Sequence, residues 1–141
     1  ISLDADKVMS VAGRGQMLSI LIRNIVGNAI QYTPHNGVIA ISIEETLNRI
    51  RLRVADSGPG IPESEYSAVF RRFHRGKDND VPGTGLGLSI VNRIVEIHHA
   101  EIILGRSEHH GLQFDVYFNK ANMFRQPSAS IHAPKMAASG Q

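Results

Sequence analysis

The chain has 141 residues, enough for one domain with a real core, and 42% hydrophobic with 20% charged residues fits a soluble globular protein. A formal net charge of +2 gives no argument for nucleic acid or lipid as a partner, and the absence of cysteine removes both a disulfide framework and a thiolate metal site. No apolar run approaches a membrane span, and Ile1 opens neither a signal peptide nor a chain with an initiator methionine, so the sequence reads as a piece of something longer.

Ile1 to Gly15 is weakly patterned, with Ile1 and Leu3, then Val8 and Val11, as short strand pieces. Gln16 to Tyr32 reads as the first helix. Leu18, Ile22, Ile25, Val26 and Ala29 recur at helical spacing and make one apolar stripe. Asn24, Asn28, Gln31 and Tyr32 follow at i, i+4, i+7 and i+8, stack on one side, and read as the opposite face. Asparagine is a mediocre helix former, so two of them four apart need a reason: plain solvent exposure, or a polar row facing a ligand. Thr33-Pro34-His35-Asn36-Gly37 then ends the helix.

Val38 to Glu45 alternates, with Ile39, Ile41 and Ile43 on one side. Arg49 to Asp56 alternates too, with Ile50, Leu52 and Val54 inward and Arg49, Arg51 and Arg53 outward. Asn48 between them predicts a hairpin. Asp56 shares the parity of Val54, so its carboxylate is delivered to the apolar side, where it needs donors from the protein or from a ligand. Asp56-Ser57-Gly58-Pro59-Gly60 is a turn cluster, and Pro62 to Phe70 reads as a short helix with Pro62 and Glu63 in its first turn. Phe70 to Arg75 is basic and aromatic, Gly76 to Pro82 has no periodicity, and Arg71 to Pro82 as a whole reads as a mobile cover.

Gly83-Thr84-Gly85-Leu86-Gly87-Leu88 runs straight into a second helix pattern, Ser89 to Ile97. Gly87, Ile90, Val91 and Ile94 are its buried stripe. A glycine-rich turn opening a helix suits phosphate, because the backbone comes close and the helix's first N–H groups point at the anion. No Lys-Ser/Thr follows, so it is not a Walker A loop. Glu101 to Gly105 and Leu112 to Phe118 read as closing strands, with Leu112, Phe114, Val116 and Phe118 inward. Residues 1–121 are taken as one domain. Residues 122–141 are rich in Ala, Ser and Pro and are expected to be a disordered tail.

Four motifs stand in order: Asn24-Ile25-Val26-Gly27-Asn28, Asp56-Ser57-Gly58-Pro59-Gly60, Phe70-Arg71-Arg72-Phe73 and Gly83-Thr84-Gly85-Leu86-Gly87-Leu88. Together they resemble the N, G1, F and G2 boxes of the catalytic, ATP-binding domain of two-component sensor histidine kinases, over roughly Gln16 to Phe118. The wording around Leu18 to Pro34 is similar to membrane sensor kinases that pair with winged-helix response regulators, the quorum-sensing kinases among them.

The resemblance implies an α/β two-layer sandwich of the Bergerat ATP-binding type: a mixed sheet covered on one face by helices, with ATP between helices and sheet under a flexible lid. By position, Asn28 matches the Mg2+ ligand, through its amide oxygen, and Asn24 supports the phosphates. Gln31 faces the phosphates and Tyr32 packs near the nucleotide. Asp56 matches the acceptor for the adenine amino group, with Gly58, Gly60 and Ile61 lying against the base. Arg72, Phe73 and Arg75 fall in the lid; Gly83, Thr84, Gly85, Leu86, Gly87 and Leu88 approach the triphosphate. The implied reaction is transfer of the γ-phosphoryl group to a histidine on a separate helical hairpin, which this sequence does not contain, with a response regulator downstream. Nucleic acid and membrane contact are not expected. The implied location is cytoplasmic, as a fragment of an inner-membrane sensor kinase.

Three departures stand out: Gln31 where many relatives carry Lys or Arg, Gly111-Leu112 where Gly-Thr is usual, and His99-Ala100 where Gly-Gly commonly closes the second helix. Plainer readings remain open at single residues. Asp56 can be a turn former bonding the Ser57-Gly58 backbone, Arg71, Arg72 and Arg75 a solvated loop, and Gly111 a turn glycine on the pocket rim. The His98-His99 and His109-His110 pairs tempt a metal reading, which the divergence of adjacent side chains opposes. Two other functions compete. Gyrase-, mismatch-repair- and heat-shock-type ATPases of the same superfamily place a glutamate base for water where this chain has Asn24, and an amide cannot take that proton. A non-catalytic docking module is the other.

Overall fold

The computed structural model describes residues 2–4, 13–71 and 87–120, the first of these as backbone only. The strands are β1 (Ser2–Asp4), β2 (Ile39–Glu45), β3 (Arg49–Asp56), β4 (Glu101–Arg106) and β5 (Leu112–Asn119). The helices are α1 (Gly15–Tyr32) and α2 (Gly87–Ile97). The sheet runs β1-β2-β3-β5-β4. β1 is parallel to β2 and every other pair is antiparallel, so the sheet is mixed, as the resemblance implies.

Strand parity follows the sequence closely because one face of the sheet is buried. Leu52 and Val54 of β3 and Leu112, Phe114, Val116 and Phe118 of β5 meet Leu21, Ile25 and Ala29 of α1 and Val91, Ile94 and Val95 of α2. The helices therefore cover one face, giving two layers around one core. Each fully enclosed side chain such as Leu21 or Ile25 contributes about 1.5–3 kcal/mol. The other face carries a polar ladder. Arg51 pairs with Glu44 directly across the β2–β3 register, and Arg49 pairs with Glu101 at 2.9 Å. Arg53 grips Asp115 with two bonds, Nε to Oδ1 at 2.6 Å and Nη2 to Oδ2 at 2.9 Å, and those bonds hold its guanidinium above its ordinary pKa.

α1 stops where Thr33 donates both its backbone N–H and its hydroxyl to Ala29 O, and Pro34 offers no further donor. The Thr46–Arg49 backbone bond closes the β2–β3 hairpin.

Several expectations need correction. On α1 the inward residue is Leu21, while Ile22 is 43% exposed. On α2 Val95 is buried and Ile90 is 42% exposed. Asn24 and Asn28 are half-buried and flank the core instead of opposing it. At about 100° per residue they stand about 100° and about 60° from Ile25. The stretch from Pro62 to Phe70 is not one helix but two 3-10 turns, Glu63–Glu65 and Ala68–Phe70, closed by i→i+3 bonds such as Tyr66 N–H to Glu63 O. The Ser2–Asp4 strand covers Leu3, while Ile1, Val8, Val11, the cover from Arg72 onward and the tail lie outside the described residues.

Candidate nucleotide site

β3 ends by delivering Asp56 into the protein, where it is 3% exposed. A buried carboxylate must find donors. Its Oδ1 accepts from Gly58 N–H at 2.9 Å and from Leu112 N–H at 3.0 Å. Among the described residues nothing donates to Oδ2. One oxygen is consumed by the fold and the other is uncommitted.

The two backbone donors reach Oδ1 only because glycines stand beside them. A Cβ on Gly111 would lie 2.1 Å from Asp56 Oδ1 and 2.3 Å from Asp56 O, and one on Gly58 would lie 2.8 Å from Tyr32 O. Residue 111 thus lets the start of β5 close on the end of β3, and residue 58 lets the loop after β3 close on the end of α1. The sequence reading missed the Leu112 contact because a backbone donor has no side-chain signature. The register held the clue: Ala55 pairs with Gln113, which brings Leu112 to Asp56. Leu112 itself is buried in the core.

The second half of the site lies between the helices. Asn24 Nδ2 donates to Ile20 O at 2.8 Å, which fixes the amide, and its Oδ1 faces the first residue of α2: a Cβ on Gly87 would sit 2.8 Å away. The structure therefore joins Asn24 and Gly87, which are far apart in sequence. Asn28, one turn further along α1 on the same flank, has no hydrogen-bond partner among the described residues and keeps its amide oxygen available. An uncommitted, half-buried amide oxygen suits a hard cation that takes oxygen ligands and keeps several waters. Tyr32, 37% exposed, stands at the end of α1 against Gly58. Gln31 is exposed, and Gly60 turns the loop at φ +67°. Ile61 and Leu88 are partly buried and pack on the core.

Arg72, Phe73, Arg75, Gly83, Thr84, Gly85 and Leu86 lie outside the described residues. A cavity of about 310 Å³ opens beside the loop, shared by Gly60, Ile61, Tyr66, Arg106 and His110. It includes none of Asp56, Asn24 and Asn28, so it is a neighbour of the site and not the site. His99 adopts φ +49°, so a non-glycine residue holds the left-handed turn after α2.

A family model described as histidine kinase-, DNA gyrase B-, and HSP90-like ATPase matches residues 13–122. Sensor protein kinase PmrB of Pseudomonas aeruginosa is 41% identical over 122 residues, 85% of this chain and 25% of PmrB. Sensor protein QseC of Escherichia coli K12 is 36% identical over 104 residues, 74% of this chain and 22% of QseC. The chain thus spans about a quarter of the length of these kinases. Among solved structures, the catalytic domain of histidine kinase ThkA superposes with a TM-score of 0.67 at 34% identity, covering 77% of this chain and 70% of that one. This chain belongs to the histidine kinase-, DNA gyrase B- and HSP90-like ATPase family, and within it to the ATP-binding catalytic domains of sensor histidine kinases.

Proposed function

We propose that this domain binds ATP with Mg2+ and passes the γ-phosphoryl group to a histidine on a separate helical hairpin of the same kinase, from which a response regulator takes it. The observation that carries this reading is Asn24. At the contact between α1 and the start of α2, where water-activating relatives need a carboxylate base, this chain places an amide already tied to Ile20 O. An imidazole nucleophile brings its own lone pair and needs no such base, so positioning and charge neutralisation suffice.

The purine amino group would donate to the uncommitted Oδ2 of Asp56, with Gly58 and Gly60 against the ring. Asn28 would hold the metal, whose part is to neutralise phosphate charge. Asn24 and the start of α2 would take the phosphates, using N–H groups that a helix N-terminus leaves unpaired. The whole kinase would be an inner-membrane sensor with this part in the cytoplasm. Among the described residues no helix is long and apolar enough to cross a membrane.

The test is incubation with γ-labelled ATP and Mg2+, with and without a phosphoacceptor hairpin domain. Label is expected on the hairpin and not on this chain alone. Rapid ATP hydrolysis without the hairpin, or stable label on a histidine of this chain, contradicts the proposal.

A further inference from the structure

We infer that His98 is a positioning residue for the phosphate end of this site, clamping the start of α1 to the end of α2; the inference rests on the nucleotide reading above. His98 follows the last residue of α2 and is half-buried. Its Nδ1 lies 2.8 Å from Ile94 O. A carbonyl can only accept, so Nδ1 carries the proton and Nε2 presents its lone pair. Arg14 N–H donates to that Nε2 at 3.3 Å. Arg14 is the N-cap of α1 and its side chain makes no capping bond, so a ring from the other helix satisfies a donor at the α1 start. Gly13 completes the fit, since a Cβ there would lie 2.7 Å from Cδ2 and Nε2 of the ring.

The clamp matters because of where its partner contact lies. Asn24 of α1 meets Gly87, the first residue of α2, and Arg14 of α1 meets His98 beyond the last. The helices are therefore antiparallel and braced at two points. The spans between the braces match, about 15 Å along α1 and about 16 Å along α2. At the phosphate end the approach is close, since a Cβ on Gly87 would lie 2.8 Å from Asn24 Oδ1, whose amide is tied to Ile20 O. At the other end the spacing is set by His98. Without the clamp the pair splays, and Asn24 and Asn28 shift against the start of α2. The purine end depends less on the helix pair, because Asp56 is held by Gly58 and Leu112 N–H, and the α1 residue beside Gly58 is Tyr32, at the end of the helix farthest from the clamp.

The experiment measures binding of ATP in Mg2+ and of adenosine to the 141-residue chain. His98→Leu is expected to weaken ATP about five- to tenfold while adenosine stays within about twofold. His98→Gln is the rescue: its amide nitrogen can donate to Ile94 O while its amide oxygen accepts from Arg14 N–H, so ATP affinity is expected within about twofold of the parent. Gly13→Ala displaces the ring by one methyl at an exposed residue outside the core, and gives the same selective loss even where His98→Leu does not fold. Parallel loss of ATP and adenosine, unchanged ATP binding in Gly13→Ala, or failure of the glutamine rescue overturns the inference. Asn28→Ala is the control for the underlying reading: if it binds ATP in Mg2+ like the parent, the metal assignment fails, whereas its selective loss beside an unaffected Gly13→Ala condemns the clamp alone.

Discussion

Replacing Asp56 by asparagine separates the two tasks of its carboxylate. Oδ1 accepts from Gly58 and Leu112 N–H, and an asparagine oxygen can take both bonds without moving. The bonds then change from charge-assisted to neutral, about half as strong, and the burial of a charge is relieved, so the net loss of stability is about 1–2 kcal/mol. At the other corner an amide nitrogen replaces Oδ2. It donates where a purine amino group also donates, so the ligand loses one hydrogen bond and meets a mismatched partner. That costs roughly 2–4 kcal/mol, or about 30- to 1000-fold in affinity. Asp56→Ala behaves differently, leaving Gly58 and Leu112 N–H buried and unpaired at about 1–3 kcal/mol each. Urea unfolding reports the first quantity and titration with a fluorescent ATP analogue in Mg2+ the second. Asp56→Asn should be folded and nearly blind to ATP, and Asp56→Ala should be compromised in both. An asparagine variant that binds ATP within about threefold of the parent refutes the division of labour between the two oxygens.

Asn28→Ala should remove the Mg2+-dependent part of ATP affinity with thermal stability intact, and equal affinities with and without Mg2+ in the parent chain would defeat the metal assignment. Gly111→Ala forces a Cβ into Asp56 backbone and carboxylate and should cost about 2–5 kcal/mol from overpacking and the lost Leu112 bond; an unchanged urea midpoint would count against it. His99→Gly relieves a left-handed non-glycine residue and should raise stability by about 1 kcal/mol, seen as a Tm higher by a few degrees. Arg53→Met leaves the buried Asp115 with Gln113 Nε2 as its remaining donor among the described residues and should cost about 2–4 kcal/mol. The Arg53→Met/Asp115→Leu double variant should recover most of that in denaturant titration.

The strands were legible because period two leaves no choice once one face is buried: a slip of one residue at Val54 or Phe114 would put the whole row in water. α1 was harder. Met17, Leu18, Ile20, Leu21, Ile22, Ile25, Val26 and Ile30 put apolar groups almost all the way round, so local pattern could not choose between Leu21 and Ile22. What orients α1 is its contact with α2 at Gly87, a distant partner. The same rotation explains why the Asn24–Asn28 row borders the core. A row facing away from the sheet could not reach the start of α2. The turns at Glu63–Glu65 and Ala68–Phe70 look like one helix in sequence because proline and acidic residues near the start suit either form, and only the i→i+3 bonds distinguish them.

Asp56 admits two roles in sequence, a turn former and a ligand acceptor. The geometry bears out the first and leaves an oxygen that the second would use. The turn bond to Gly58 and the sheet-end bond to Leu112 both fall on Oδ1, and that concentration leaves Oδ2 without a donor among the described residues. A carboxylate satisfied at both oxygens would be structural only, and one satisfied at neither would be too costly to bury. The decisive residues are therefore Gly111 and Leu112, whose contribution is an absent Cβ and a backbone N–H. His98 acts in the same way through Arg14 N–H. Such contributions have no residue-type pattern to search for, which is why the nucleotide motifs were visible in the sequence while the groups that hold them in place were not.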